Sequence, residues 1–209
     1  MRIEEVKKSE RKRGILLVKL EDGDILRVTE EELLRFRLRA GMELDGETLE
    51  ALNASARASS AKAAAANMIG SRALSKRELT RRLVKKGNDE ADAQAAADWL
   101  EDIGAVDDAG YAAALARHYG GKGYGPQRVR EELRRRGVDR EKWDEALEEL
   151  PEAAEILDEL IRKKCRGDLS DPKEKKRVSD ALMRRGFAWS DIKAAMGRYA
   201  EMTEDGEEW

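Results

Sequence analysis

The chain predicts a mainly α fold: three tandem three-helix repeats stacked into an elongated, curved array, preceded by a small β-rich module. The first observation behind this is a unit that recurs three times at a spacing of about 50 residues, the range in which repeats mean stacked supersecondary modules. It reads SKRELTRRLVKKG around Leu79, Leu83 and Gly87, then GPQRVREELRRRG around Val129, Leu133 and Gly137, then KEKKRVSDALMRRG around Val178, Leu182 and Gly186. Apolar side chains four apart share one helix face, and a glycine four further on closes the helix in the left-handed conformation. The second observation is that the pattern continues in register past each glycine. Ala93, Trp143 and Ile192 occupy one matched offset, Ala97, Leu147 and Met196 the next, and Leu100, Leu150 and Tyr199 the next. The third is composition: 41% charged residues, 5% aromatic and 3 prolines in 209 residues suit helices with heavily solvated outer faces.

Residues 1–52 differ in kind. Ile15 to Leu20 and Ile25 to Val28 read as two strands joined by the acidic turn Glu21-Asp22-Gly23-Asp24. Thr29 followed by Glu30, Glu31 and Glu32 reads as a helix start, Gly41 as the end of that helix, and Met42-Glu43-Leu44 as a return to the sheet. The first repeat, 53–104, opens with an Ala-rich helix from Ala54 to Ile69. The second, 105–150, opens with a helix over Tyr111–Tyr119 capped by Asp107 and Asp108, and the third, 151–200, with one over Ala153–Cys165. Residues 201–209 form an acidic tail. No helix carries a stripe wide enough to be stable alone, so neighbouring repeats are expected to bury one another's faces. Asn88 stands where Val138 and Phe187 follow the other glycines, which predicts looser packing of the first repeat.

The residues that invite chemistry do not assemble a site. The loop Gly120-Gly121-Lys122-Gly123-Tyr124-Gly125-Pro126 has glycines that free amides for an anion, yet it lacks a preceding strand and the spacing of a phosphate-binding P-loop, and Pro126 is suited to a helix start. His118 is the only histidine, and the single Cys165, among Arg162, Lys163, Lys164 and Arg166, has no cysteine partner, which fits a reducing compartment. The expectation is a non-enzymatic, cytoplasmic protein with no cofactor and no metal. No run of apolar residues is long enough for a bilayer.

The remaining signal is cationic. Arg81, Arg82, Lys85 and Lys86 in the first repeat, Arg128, Arg130, Arg134 and Arg135 in the second, and Lys176, Arg177, Arg184 and Arg185 in the third recur at corresponding places and are the candidate partner-binding residues. Stacked repeats would align them as a discontinuous basic stripe. Compensation of helix dipoles would put cations at these helix ends as well, at about 0.3–1 kcal/mol each. The net charge of −3 and a pI near 5.6 are unlike those of a protein that grips naked DNA by counterion release. They suit a protein partner or a protein–DNA filament better.

The run DDAGYAAALARHYGGKGYGPQRVREELRRRGVDREKWDEAL resembles the central motif of the RecX regulatory proteins of bacteria. ALSKRELTRRLVKKG is similar to the first-repeat signature of that family and VSDALMRRGFAWSDIKAAM to its last, while the segment ending GMELDGETLEAL is similar to a β-rich extension of some members. The resemblance implies a modulator that lies in the helical groove of the RecA recombinase filament on single-stranded DNA; the chain is expected to be a monomer, with single-stranded DNA as a second contact. It would restrain ATP hydrolysis, strand exchange and co-protease activity. Direct DNA binding through helix-turn-helix-like repeats is the competing expectation.

Overall fold

The structure, a computed structural model, describes residues 1–166 and 168–204; positions 205–209 of the acidic tail lie outside the described residues. The chain forms two compact units, Met1–Val106 and the remainder from Asp107. In the first, β1 (Ile3–Lys8), β2 (Ile15–Leu20) and β3 (Ile25–Thr29) make an antiparallel sheet in the order β1-β2-β3. Alternation in β2 buries Leu16, Val18 and Leu20 on one face, where they meet Ile3, Val28, Leu38, Leu44 and Leu52. The third strand is therefore the N-terminal segment. Met42–Leu44 contributes only the isolated bridge between Arg2 and Glu43. A register shift between Ile3 and Glu5 puts Ile3 and Val6 three positions apart, which conceals the strand's two-residue period.

The short helix α1 (Glu30–Arg35) begins with a capping box: Thr29 Oγ1 accepts from the Glu32 amide, and the Glu32 carboxylate accepts from the Thr29 amide. It ends well before Gly41. Arg37 takes φ +52, the Arg37 amide donates to Leu34 O and the Leu38 amide to Leu33 O, a Schellman closure made without glycine.

Helix α2 (Gly46–Ser71) starts eight residues earlier than the Ala-rich run suggests, because Asp45 caps it by accepting from the Thr48 amide at 2.7 Å. The boundary at residue 52 thus falls inside a helix. The N-terminal half of α2 places Leu49, Leu52 and Ala56 in the core of the sheet module, and its C-terminal half places Ala61 and Ala65 in the core of the first repeat. Glu32, buried, accepts from Ser55 at 3.0 Å and Ser59 at 2.7 Å and so ties α1 to the middle of α2.

The repeats follow the predicted plan. The first is α2 with α3 (Lys76–Lys85) and α4 (Glu90–Asp102). The second is α5 (Asp108–Gly120), α6 (Pro126–Arg135) and a helix that starts as a 3-10 turn, Arg140–Lys142, and continues as α7 (Trp143–Glu148). The third is α8 (Ala153–Lys164), α9 (Pro172–Arg184) and α10 (Trp189–Glu204). Gly87, Gly137 and Gly186 have φ of +92°, +74° and +89°, and the amides after them return to Leu83, Leu133 and Leu182. Asn88, expected to loosen the first repeat, also donates its side-chain Nδ2 to Leu83 O at 2.9 Å.

Buried apolar residues fall into four clusters, one for the sheet module and one for each repeat. Each repeat thus has a small core of its own. The join between the second and third repeats combines backbone-to-backbone hydrogen bonds with the Arg185 side chain. Gly125 N donates to Arg185 O at 2.8 Å and Gln127 N to Gly186 O at 3.0 Å, while Arg185 Nη1 donates to Lys122 O and Gly123 O, both at 2.9 Å. A Cβ on Gly125 would lie 2.5 Å from Gly186 O, so glycine is required by the approach itself. Among the described residues no helix is long and apolar enough to cross a membrane.

Candidate partner-binding surface

Helices α3, α6 and α9 bury one face through Leu79 and Leu83, Val129 and Leu133, and Val178 and Leu182, and carry the cations on what is left. The twelve candidates divide by what they touch. Five are committed inside the fold. Arg82 binds Glu78 with Nη2 at 2.6 Å and Nε at 2.9 Å, and Arg128 reaches Glu131 at 2.9 Å and Glu132 at 3.5 Å. Arg135 binds Glu132 at 2.5 Å, and Arg177 binds Glu174 at 2.6 Å and Lys164 O at 2.5 Å. Arg185 holds the glycine-rich loop and lies 5.4 Å from the Tyr124 ring centroid.

Glu132 is the hub of the second repeat. It is buried, faces Arg128, Arg135 and Arg136, and the Arg136 guanidinium also donates to Tyr111 Oη at 2.8 Å. Burial pushes the Glu132 carboxyl up. The hydrogen bond and charge of Arg135, with Tyr119 and Arg128 adding to them, outweigh burial and hold it below its ordinary 4.5. In the third repeat the hydrogen bond from Arg177 and the Arg166 amide bring Glu174 down to about 2.

The other seven, Arg81, Lys85, Lys86, Arg130, Arg134, Lys176 and Arg184, are exposed and make no ion pair among the described residues. They do not recur as a strict stripe. Lys85, Arg135 and Arg184 occupy one matched offset, but Arg135 is taken by Glu132. Arg130 matches Thr80 and the buried Ser179, while Arg134 matches Val84 and Met183, which are 42% and 43% exposed. The free charge is therefore distributed differently in each repeat. The paired cations escaped sequence reasoning for a simple reason: Glu132 and Glu174 look like ordinary surface carboxylates until the fold brings Arg128, Arg135 and Arg136 onto the first and Arg177 with the Arg166 amide onto the second.

The other sequence candidates have structural employment. In the loop Gly120–Pro126 the amides of Gly121, Lys122, Gly123, Tyr124 and Gly125 all donate to protein carbonyls, leaving none of these five for a phosphate. Asp107 caps α5 by accepting from the Ala109 and Gly110 amides. His118 is exposed and meets the Tyr119 ring edge-on, and Cys165 is half-buried against the core of the third repeat. Among the described residues no group of three or more His, Cys, Asp or Glu side chains is placed to hold a metal ion.

The two glycine-docked repeats coincide with two family models: residues 107–147 match the second three-helix domain of RecX and residues 152–196 the third. The chain is 38% identical over 118 residues to the regulatory protein RecX of Xanthomonas axonopodis pv. citri (strain 306), covering 55% of this chain and 72% of that one. It belongs to the RecX family. A second RecX, from Pseudomonas entomophila (strain L48), is 33% identical over 114 residues, 54% of this chain and 74% of that relative. A crystal structure of a regulatory protein RecX superposes with a TM-score of 0.72 over 92% of this chain and 98% of that one, at 23% identity, so the likeness there is one of fold. The second RecX domain holds the Glu132 hub and the free pair Arg130 and Arg134, and the third holds Lys176 and Arg184. The relatives it matches are regulatory proteins by name.

Proposed function

We propose that this RecX protein binds the RecA recombinase filament assembled on single-stranded DNA and restrains its ATP hydrolysis, strand exchange and co-protease activity. The observation that carries the reading is membership in the RecX family through its second and third domains. The seven unpaired cations, led by Arg130 and Arg134 one turn apart on α6, support an electrostatic contact, since forming it breaks no internal ion pair. Arg82, Arg128, Arg135, Arg177 and Arg185 act in this reading as the frame that holds the helices.

Direct DNA binding through the helix-turn-helix-like repeats is the second reading, favoured by the free cations and opposed by the net charge of −3. Fluorescence anisotropy of labelled oligothymidylate, titrated with the protein in the presence and absence of RecA and a non-hydrolysable nucleotide, separates the two. The account expects tight binding to the filament and weak binding to the bare strand. Equal affinities would hand the function to the second reading.

A further inference from the structure

The first unit contains a groove of about 660 Å³. It is lined by the loop between β1 and β2, by β3 and α1, by the middle and end of α2, and by Lys86 beyond α3. Four cations border it: Lys12, Arg13, Arg27 and Lys86. All four are exposed and none has an ion-pair partner among the described residues, in a protein whose net charge is −3. The one carboxylate on its wall, Glu32, is hydrogen-bonded by the Thr29 amide and by Ser55 and Ser59 and, among the described residues, forms no ion pair with the cations; its single negative charge is outnumbered by the four of them. Between the cations the wall is apolar at Ile15, Ala63 and Met68.

We infer that this groove docks an acidic peptide segment of a protein partner, with carboxylates on the four cations and an apolar side chain over Met68. Charge complementarity calls for an anion. The lining decides which kind. Grooves that take single-stranded nucleic acid without sequence preference combine cations with aromatic rings on which bases stack, and none of the lining residues here is aromatic. A lining that includes methionine, alanine and isoleucine instead suits an aliphatic side chain, and methionine adapts to its shape. Lys86 is shared with the candidate surface of the first repeat, whereas Lys12, Arg13 and Arg27 belong to the groove alone; the inference is tested with no recombinase present.

The probe is a fluorescein-labelled peptide of alternating Glu and Asp around a central Leu, followed by anisotropy on the full chain, with labelled oligothymidylate and a Gln/Asn version of the peptide as comparisons. The acidic peptide should bind, more weakly at high salt, and the Gln/Asn peptide should not. Arg13→Glu with Arg27→Glu should weaken binding at least about tenfold, as expected when paired charges are reversed. Ala63→Trp, which fills the groove from an exposed position without changing charge, should weaken it comparably. The charge-matched control Arg140→Glu with Arg162→Glu, remote in sequence and in the other unit, should leave it unchanged, and circular dichroism should show each variant as helical as the parent. The inference is overturned if the acidic peptide does not bind, if Ala63→Trp binds it like the parent, if the control weakens it equally, or if oligothymidylate binds more tightly and responds to the same substitutions.

Discussion

Gly186 offers a sharp test of how the second and third repeats are joined. Gly87 and Gly186 close their helices with nearly the same backbone, φ +92 and +89, so alanine carries the same left-handed strain at both, about 1–2 kcal/mol. Their surroundings differ. A Cβ on Gly87 meets nothing within 4 Å, whereas one on Gly186 would lie 2.4 Å from Arg128 N and 2.7 Å from Arg128 Cβ. The backbone of α6 would have to move, straining the Gly125 and Gln127 hydrogen bonds to Arg185 O and Gly186 O. Overpacking of this kind adds about 1–3 kcal/mol. Gly186→Ala should therefore cost about 2–5 kcal/mol and Gly87→Ala about 1–2 kcal/mol. Gly125→Ala has an unstrained backbone, φ −83 and ψ 172, and should cost the overpacking part alone. Urea denaturation, followed by circular dichroism and by the fluorescence of backgrounds that keep Trp99 alone for the first unit or Trp143 alone for the second, gives each value from the transition of the unit that carries the substitution. Equal costs for Gly87→Ala and Gly186→Ala would refute the glycine seam.

Leu133→Ala empties a fully buried position in the second-repeat core and should cost about 2–5 kcal/mol in the same assay; a loss below about 0.5 kcal/mol would show that the stripe is not core. Acid should destabilise the protein in a defined window. Glu32, Glu132 and Glu174 are held below their ordinary 4.5, so the unfolded chain takes up protons first; their stabilisation is complete above about 4.5 and is lost as pH falls through the folded values, the lowest being about 2 for Glu174. Glu132→Gln, which cannot titrate there, should flatten the acid limb of the stability profile of the second unit, and an unchanged limb would remove Glu132 from the account.

The repeats were legible because their signals are local. Leu83, Leu133 and Leu182 with the glycines four residues on encode stripe and stop within one helix, and each glycine takes the predicted left-handed conformation. Asp107 as a cap and the acidic hairpin turn belong to the same class. What escaped was set by partners distant in sequence or by an exception to a local rule. β1 hides its period behind a bulge, α1 closes on Arg37 where glycine would be expected, and α2 begins with a glycine that reads as a break until Asp45 caps the turn. The glycine-rich loop looked like a candidate anion cradle, whereas its glycines let α6 approach Gly186, more than sixty residues away in sequence. The twelve cations could be named from the sequence, but separating the tied from the free required knowing that Glu78, Glu132 and Glu174 sit within reach of arginines on the same helix turns.

The central claim is that the free cations of a RecX protein engage the recombinase filament. The most direct measurement is the DNA-dependent ATP hydrolysis of RecA, titrated with the parent and with Arg130→Glu/Arg134→Glu at several salt concentrations. Both side chains are exposed and unpaired, so the substitutions should change stability by no more than about 0.5 kcal/mol. The account predicts an inhibition curve displaced at least about tenfold to higher protein concentration, with the gap narrowing as salt screens the contact. Superimposable curves from an equally stable variant would contradict it and leave Arg130 and Arg134 as solubilising charge.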